Sequence, residues 1–108
     1  MKTVKFRDYL VPLVLSGEKT STWRLFDDKN LSVGDVIELK EFGETATFAQ
    51  AIITKVILRK FKDLTHEDKA GHETYNSDQQ MYETYSGYYS TKVDGETEVK
   101  IIWFKLLT

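Results

Sequence analysis

The stretch Leu15-Ser16-Gly17-Glu18-Lys19-Thr20-Ser21-Thr22-Trp23-Arg24 decides how the chain is read, because two kinds of local structure meet inside it. Before it, Asp8 is a candidate N-cap for a short apolar segment, Tyr9 to Leu15, which Pro12 keeps short and Ser16-Gly17 ends as a helix C-terminal signal. After the Gly17-Glu18-Lys19 turn, Thr20 to Leu25 suits a pleated surface, with Thr20, Thr22 and Arg24 on one side and Ser21 and Trp23 on the other. Helix, turn and strand follow one another, and an amine, three hydroxyls and a guanidinium gather at the junction.

Downstream, Asp27-Asp28-Lys29-Asn30 is polar loop, and Val33-Gly34-Asp35 is a turn that launches a strand over Val36–Phe42, apolar on alternate residues through Leu39. The β-branched run Phe48–Leu58 favours a long, bent strand, with helix an alternative for its middle. Thr65 followed three residues later by Asp68 is a variant capping box, predicting a short helix that ends by Gly71. Ser77 followed by Gln80 repeats the pattern and predicts a helix through about Ser86, ended by Gly87. Val99–Leu107 closes the chain as a strand. Five strand candidates around three short helices suggest an α+β fold, a curved sheet or small barrel with helices over its openings.

Composition limits the function classes. At 108 residues the chain is a single domain, 1–108, and its 41% apolar and 30% charged residues are enough for a buried core. No apolar stretch approaches the roughly 18 residues of a membrane span, and Met1–Phe6 lacks a signal-peptide core. A cytoplasmic protein without membrane partners is expected. Zero cysteines exclude disulfides, zinc–thiolate sites and a cysteine nucleophile. The net charge of −2 is too small for a strong nonspecific nucleic-acid binder. Its distribution is uneven: residues 1–62 carry 11 Lys/Arg against 8 Asp/Glu, the remainder 4 against 9. A mildly basic face is therefore expected around Arg59, Lys60 and Lys62, a group that a solvated strand end also explains.

Chemistry concentrates in two places. In Gly17–Arg24, a threonine hydroxyl becomes a nucleophile once a neighbour accepts its proton, and Lys19 can do so if burial or the nearby charge of Arg24 lowers its pKa. Gly71-His72-Glu73 offers a carboxylate that could orient that amine or shuttle a proton. His66-Glu67-Asp68 and His72-Glu73 match no metal-ligand motif, and no Gly-x-Ser-x-Gly elbow or glycine-rich phosphate loop is present. Met81, Tyr82, Tyr85, Tyr88 and Tyr89 recur at helical spacing and read mainly as core, leaving Tyr75 as the better candidate to stack a base.

Taken together, these segments resemble the ASCH domain, a branch of the PUA-like superfamily. The resemblance rests on the Gly-x-Lys-Thr-x-Thr-x-Arg pattern of Gly17–Arg24, on Val33-Gly34-Asp35-Val36-Ile37, on Asp63-Leu64-Thr65 followed by Gly71-His72-Glu73, and on the terminal strand. It covers nearly the whole chain and implies a small PUA-like β-barrel of about five or six strands, with short helices flanking a cleft. Small proteins of this length within that family resemble bacterial N(4)-acetylcytidine amidohydrolases, which cleave an acetyl amide with a Thr, a Lys and a Glu. Carried over by position, the resemblance implies Lys19, Thr22 and Glu73 as catalytic residues, with Glu67 a substitute for Glu73 because that segment aligns with a one-residue shift. Arg24, Trp23 and Tyr75 are then substrate-binding, and no metal or organic cofactor is needed. Whether Lys19 or Glu73 is the general base stays open. The partner implied is a nucleoside; the alternative is a noncatalytic PUA-like module that binds RNA or a modified nucleotide in the same cleft.

Overall fold

The computed structural model describes residues 1–107. Its strands are β1 (Lys2–Phe6), β2 (Ser21–Arg24), β3 (Val36–Glu41), β4 (Thr47–Lys60) and β5 (Glu98–Leu107), and its helices are α1 (Val11–Ser16) and α2 (Asp78–Tyr89). The strands form one mixed sheet in the order β1-β3-β4-β5-β2, with β1 parallel to β3 and every other pairing antiparallel. The sheet curls into a half-barrel, the small α+β PUA-like architecture.

A bulge on β4 lets one long strand serve one core. Ile53 faces Phe104 and Val56 faces Ile102 on β5, while the register shifts between Ile53 and Lys55. The extra residue, Thr54, changes the parity of the strand, so Ile53 and Val56 both join the cluster inside the curve. That cluster holds Val4, Phe6, Leu10, Val14, Ile37, Leu39, Ile102 and Phe104. The opposite face of β5 supplies Val99 and Ile101 to a second cluster with Trp23, Leu25, Phe61, Met81 and Tyr85, which α2 covers. Each of these fully buried aliphatic side chains stabilises the fold by roughly 1.5–3 kcal/mol.

Three predicted elements differ in detail. The segment from Asp8 opens as a 3-10 turn, Asp8–Leu10, and only then becomes α1. Asp8 accepts a hydrogen bond from Tyr9 N, one residue on, so it does not cap the helix, and Pro12 sits in the first turn where its missing N–H costs nothing. The capping box at Thr65 forms reciprocally, Asp68 N donating to Thr65 Oγ1 at 3.1 Å and Thr65 N to Asp68 Oδ2 at 3.0 Å, yet only turns follow. Gly71 turns left-handed (φ +75°) before enough residues accumulate to repay helix nucleation. Ser77 caps α2 through Gln80 N, but the helix passes through Gly87 to Tyr89 and Ser90 takes the left-handed stop instead.

The basic run does not form a free face. Arg59 Nε donates to Asp68 at 3.0 Å, and Lys60 and Lys62 both pair with Glu96. It is a solvated strand end. Among the described residues, no helix is long and apolar enough to cross a membrane.

Candidate active site

β1 and β2 lie on opposite edges of the sheet, which if flat would hold them about 19 Å apart at the usual strand spacing. Curling brings Lys5, Phe6 and Arg7 to the same cleft as Lys19, Thr22, Trp23 and Arg24. The connector residues His72 and Glu73, and Tyr85, Tyr88 and Tyr89 of α2, complete the walls. Its cavity volume is about 190 Å³, below the roughly 300–1,000 Å³ of pockets for larger ligands. The cleft suits a small ligand.

The helix-to-strand junction sets Lys19. Gly17 adopts φ +85°, ends α1, and returns the chain so that Lys19 N donates to Leu13 O. The Lys19 side chain is then 4% exposed, lies 6.0 Å from the centre of the Phe6 ring, and donates from Nζ to Glu73 Oε2 at 2.6 Å. Thr22 is held by pairing with Ile102 in β5. Its side chain makes no hydrogen bond to protein among the described residues, although it lines the same cleft.

Glu73 arrives through Gly71. Thr20 N and Ser21 N both donate to Gly71 O, at 2.8 and 3.2 Å, fastening the connector to the start of β2. The approach is so close that a Cβ on Gly71 would stand 1.9 Å from Thr20 Oγ1. Next along the chain, His72 stacks flat on Trp23 with ring centres 3.7 Å apart. His72 Nδ1 lies 2.9 Å from Glu73 O, which can only accept, so Nδ1 carries the proton and Nε2 accepts from the Tyr85 hydroxyl at 3.2 Å.

Ionisation follows from this packing. Burial lowers the pKa of Lys19, against the opposing charge and hydrogen bond of Glu73. Burial would raise Glu73, but His72 and Lys19 hold its carboxyl below the ordinary range. Burial and the charge of Lys19 bring His72 down to about 4, so it is neutral at physiological pH. Arg24, expected to lower the pKa of Lys19, does not set it: desolvation does.

Lys19, Thr22, Trp23, Arg24 and Glu73 therefore share one hollow, whereas the sequence candidates Glu67 and Tyr75 do not line it. Glu67 is exposed and does not line the cleft, so it cannot stand in for Glu73. Tyr75 also lies outside it, with its ring 6.3–6.4 Å from those of Trp23, His72 and Tyr85, and lines an adjoining hollow that shares Trp23 and Glu73 with the cleft. Trp23 lines the cleft from within the second core cluster, at 4% exposure. His72, read as part of a polar connector, is instead buried between core rings. Lys5, Arg7 and Phe42 are cleft residues that sequence reasoning missed; their only signal was cationic residues alternating with the core positions Val4 and Phe6.

No protein-family model matches the chain, and no curated protein sequence matches it. Solved structures do. An ASCH domain from Lactobacillus crispatus aligns with a TM-score of 0.70 at 14% identity, covering 97% of this chain and 79% of that one. A protein from Enterococcus faecalis aligns at 0.75 and 17% identity, covering 92% and 70%. The ASCH protein of Zymomonas mobilis aligns at 0.60 and 12% identity, covering 95% and 65%. At these identities the likeness is one of fold: the chain has the ASCH-domain fold.

Proposed function

We propose that this chain, built on the ASCH-domain fold, is an amidohydrolase that removes the acetyl group from N(4)-acetylcytidine or a related acylated nucleoside. The observation that carries the reading is the 2.6 Å contact of buried Lys19 with Glu73, in a small cleft also lined by Thr22, whose hydroxyl has no protein partner among the described residues. An amine whose pKa is lowered is nearer its neutral, basic form, and a carboxylate held low is a weaker base. Both shifts favour Lys19 over Glu73 as general base.

In this mechanism neutral Lys19 takes the proton of Thr22 Oγ1, which attacks the acetyl carbonyl. The tetrahedral intermediate collapses with cleavage of the C–N bond, and the departing exocyclic amine takes its proton from the Lys19 ammonium. An acetyl ester on Thr22 remains. A water, deprotonated in turn by Lys19, attacks that ester; the bond from the acyl carbon to Thr22 Oγ1 breaks, acetate leaves, and the proton held on Lys19 returns to Thr22 Oγ1. Glu73 stabilises the ammonium in each half-reaction and fixes the position of Nζ.

The test is incubation with N(4)-acetylcytidine and chromatographic detection of cytidine, for wild type, Thr22→Ala, Lys19→Ala and Glu73→Ala. Wild type should release cytidine and each variant should be impaired. Binding of RNA without cytidine release would replace the enzyme with a noncatalytic RNA-binding module.

A further inference from the structure

The cleft carries more positive charge than the proposed chemistry uses. Lys19 is matched by Glu73, the one carboxylate on its walls, and His72 is neutral. Lys5, Arg7 and Arg24 are left over. None of the three has an ion-pair partner among the described residues. Arg7 is held between rings, its guanidinium 4.5 Å from the centre of Tyr88 and 5.2 Å from that of Phe42. Arg24 lines the cleft, and its Nε is buried with no hydrogen-bond partner among the described residues. The positive field reaches neighbouring Lys29, whose pKa is lowered first by burial and then by Arg24, with Lys5 contributing.

From this arrangement we infer that the ligand of the cleft carries a phosphate monoester, which Lys5, Arg7 and Arg24 hold while the base and its acyl amide enter toward Lys19 and Thr22. The inference rests on the amidohydrolase reading and makes its substrate a nucleotide in place of a bare nucleoside. Two guanidiniums supply paired donors that match phosphate oxygens, and a monoester brings a charge of about −1.5 to −2 at pH 7 against three uncompensated cations. A free nucleotide fits better than a polynucleotide for a second reason. The Arg59, Lys60 and Lys62 run that could extend a backbone track is already engaged by Asp68 and Glu96.

Isothermal calorimetry of wild type and the Lys5→Gln/Arg7→Gln double variant, with cytidine 5′-monophosphate, cytidine and a single-stranded oligocytidylate, tests the subsite without requiring turnover. Wild type should bind the nucleotide at least about tenfold more tightly than cytidine, and the double variant should reduce that preference to about twofold. Added salt should weaken the nucleotide selectively. Equal affinity for nucleotide and nucleoside, or no binding of either, overturns the inference. Affinity that climbs steeply with oligonucleotide length overturns it in favour of a polynucleotide ligand. The two readings fail separately. Cytidine release from N(4)-acetylcytidine with no phosphate preference removes the subsite and keeps the reaction, whereas phosphate preference with no hydrolysis of the acetylated nucleoside or nucleotide does the reverse.

Discussion

The connector between β4 and α2 supplies the carboxylates of two carboxylate–cation pairs, and they have opposite characters. Asp68 is 3% exposed and receives Arg59 Nε and Thr65 N on Oδ2, while its own N–H is capped by Thr65 Oγ1. Asp68 Oδ2 and Thr65 Oγ1 are both engaged by protein donors. Five residues on, Glu73 meets Lys19 at similar range but beside a cavity, with the Thr22 hydroxyl and Arg24 Nε still lacking partners. Residue type does not separate a purely structural pair from the pair proposed to be reactive. Unused hydrogen-bonding capacity facing a hollow does.

That contrast yields a graded series of outcomes. The largest is Thr22→Ala, expected to lower kcat for acetyl-amide hydrolysis by about 10³-fold or more while the unfolding midpoint barely moves. Thr22→Ser should recover much of the rate. Next is the pH dependence set by His72. Its folded pKa of about 4 lies below the ordinary 6.5, so the unfolded chain takes up the proton first as pH falls. Stability is complete above pH 6.5 and declines on the order of 3 kcal/mol in approaching pH 4, measurable by urea unfolding. His72→Gln should flatten that window. Third, Asp68→Ala should cost about 2 kcal/mol of stability by orphaning the Arg59 and Thr65 donors, while kcat of the folded fraction holds. Smallest is Glu96→Gln: it weakens two exposed ion pairs, and neither unfolding midpoint nor turnover should change measurably.

Local signals were strong where one principle acted alone. Gly17 ended its helix, the β-branched run became β4, and Ser77 capped α2, because each outcome is decided within a few residues. Prediction failed where tertiary partners intervened. The Thr65 capping box was visible, but not the claim Arg59 makes on Asp68 or the need for Gly71 to meet Thr20. Gly87 looked like a stop, yet α2 continues to Tyr89. At the site, Lys19, Thr22, Glu73 and Arg24 could be proposed from pattern and resemblance, and the connector fastened at Gly71 brings Glu73 to the other three. Lys5 and Arg7 could not, since strand order and curvature carry them across from the far edge. Tyr75 shows the converse: an aromatic outside a predicted helix resembled a stacking surface until its packing against Trp23, His72 and Tyr85 was seen.

The central claim is that a buried lysine, anchored by a carboxylate, turns a threonine into an acyl acceptor. Rapid quenching of the protein during turnover of N(4)-acetylcytidine, followed by peptide mass spectrometry, reads that step directly. The account predicts an acetyl group on the peptide containing Thr22, localised to that residue and missing when the quenched protein is Lys19→Ala. Cytidine release at the same rate by wild type and Thr22→Ala, with Thr22 never acetylated, would contradict it.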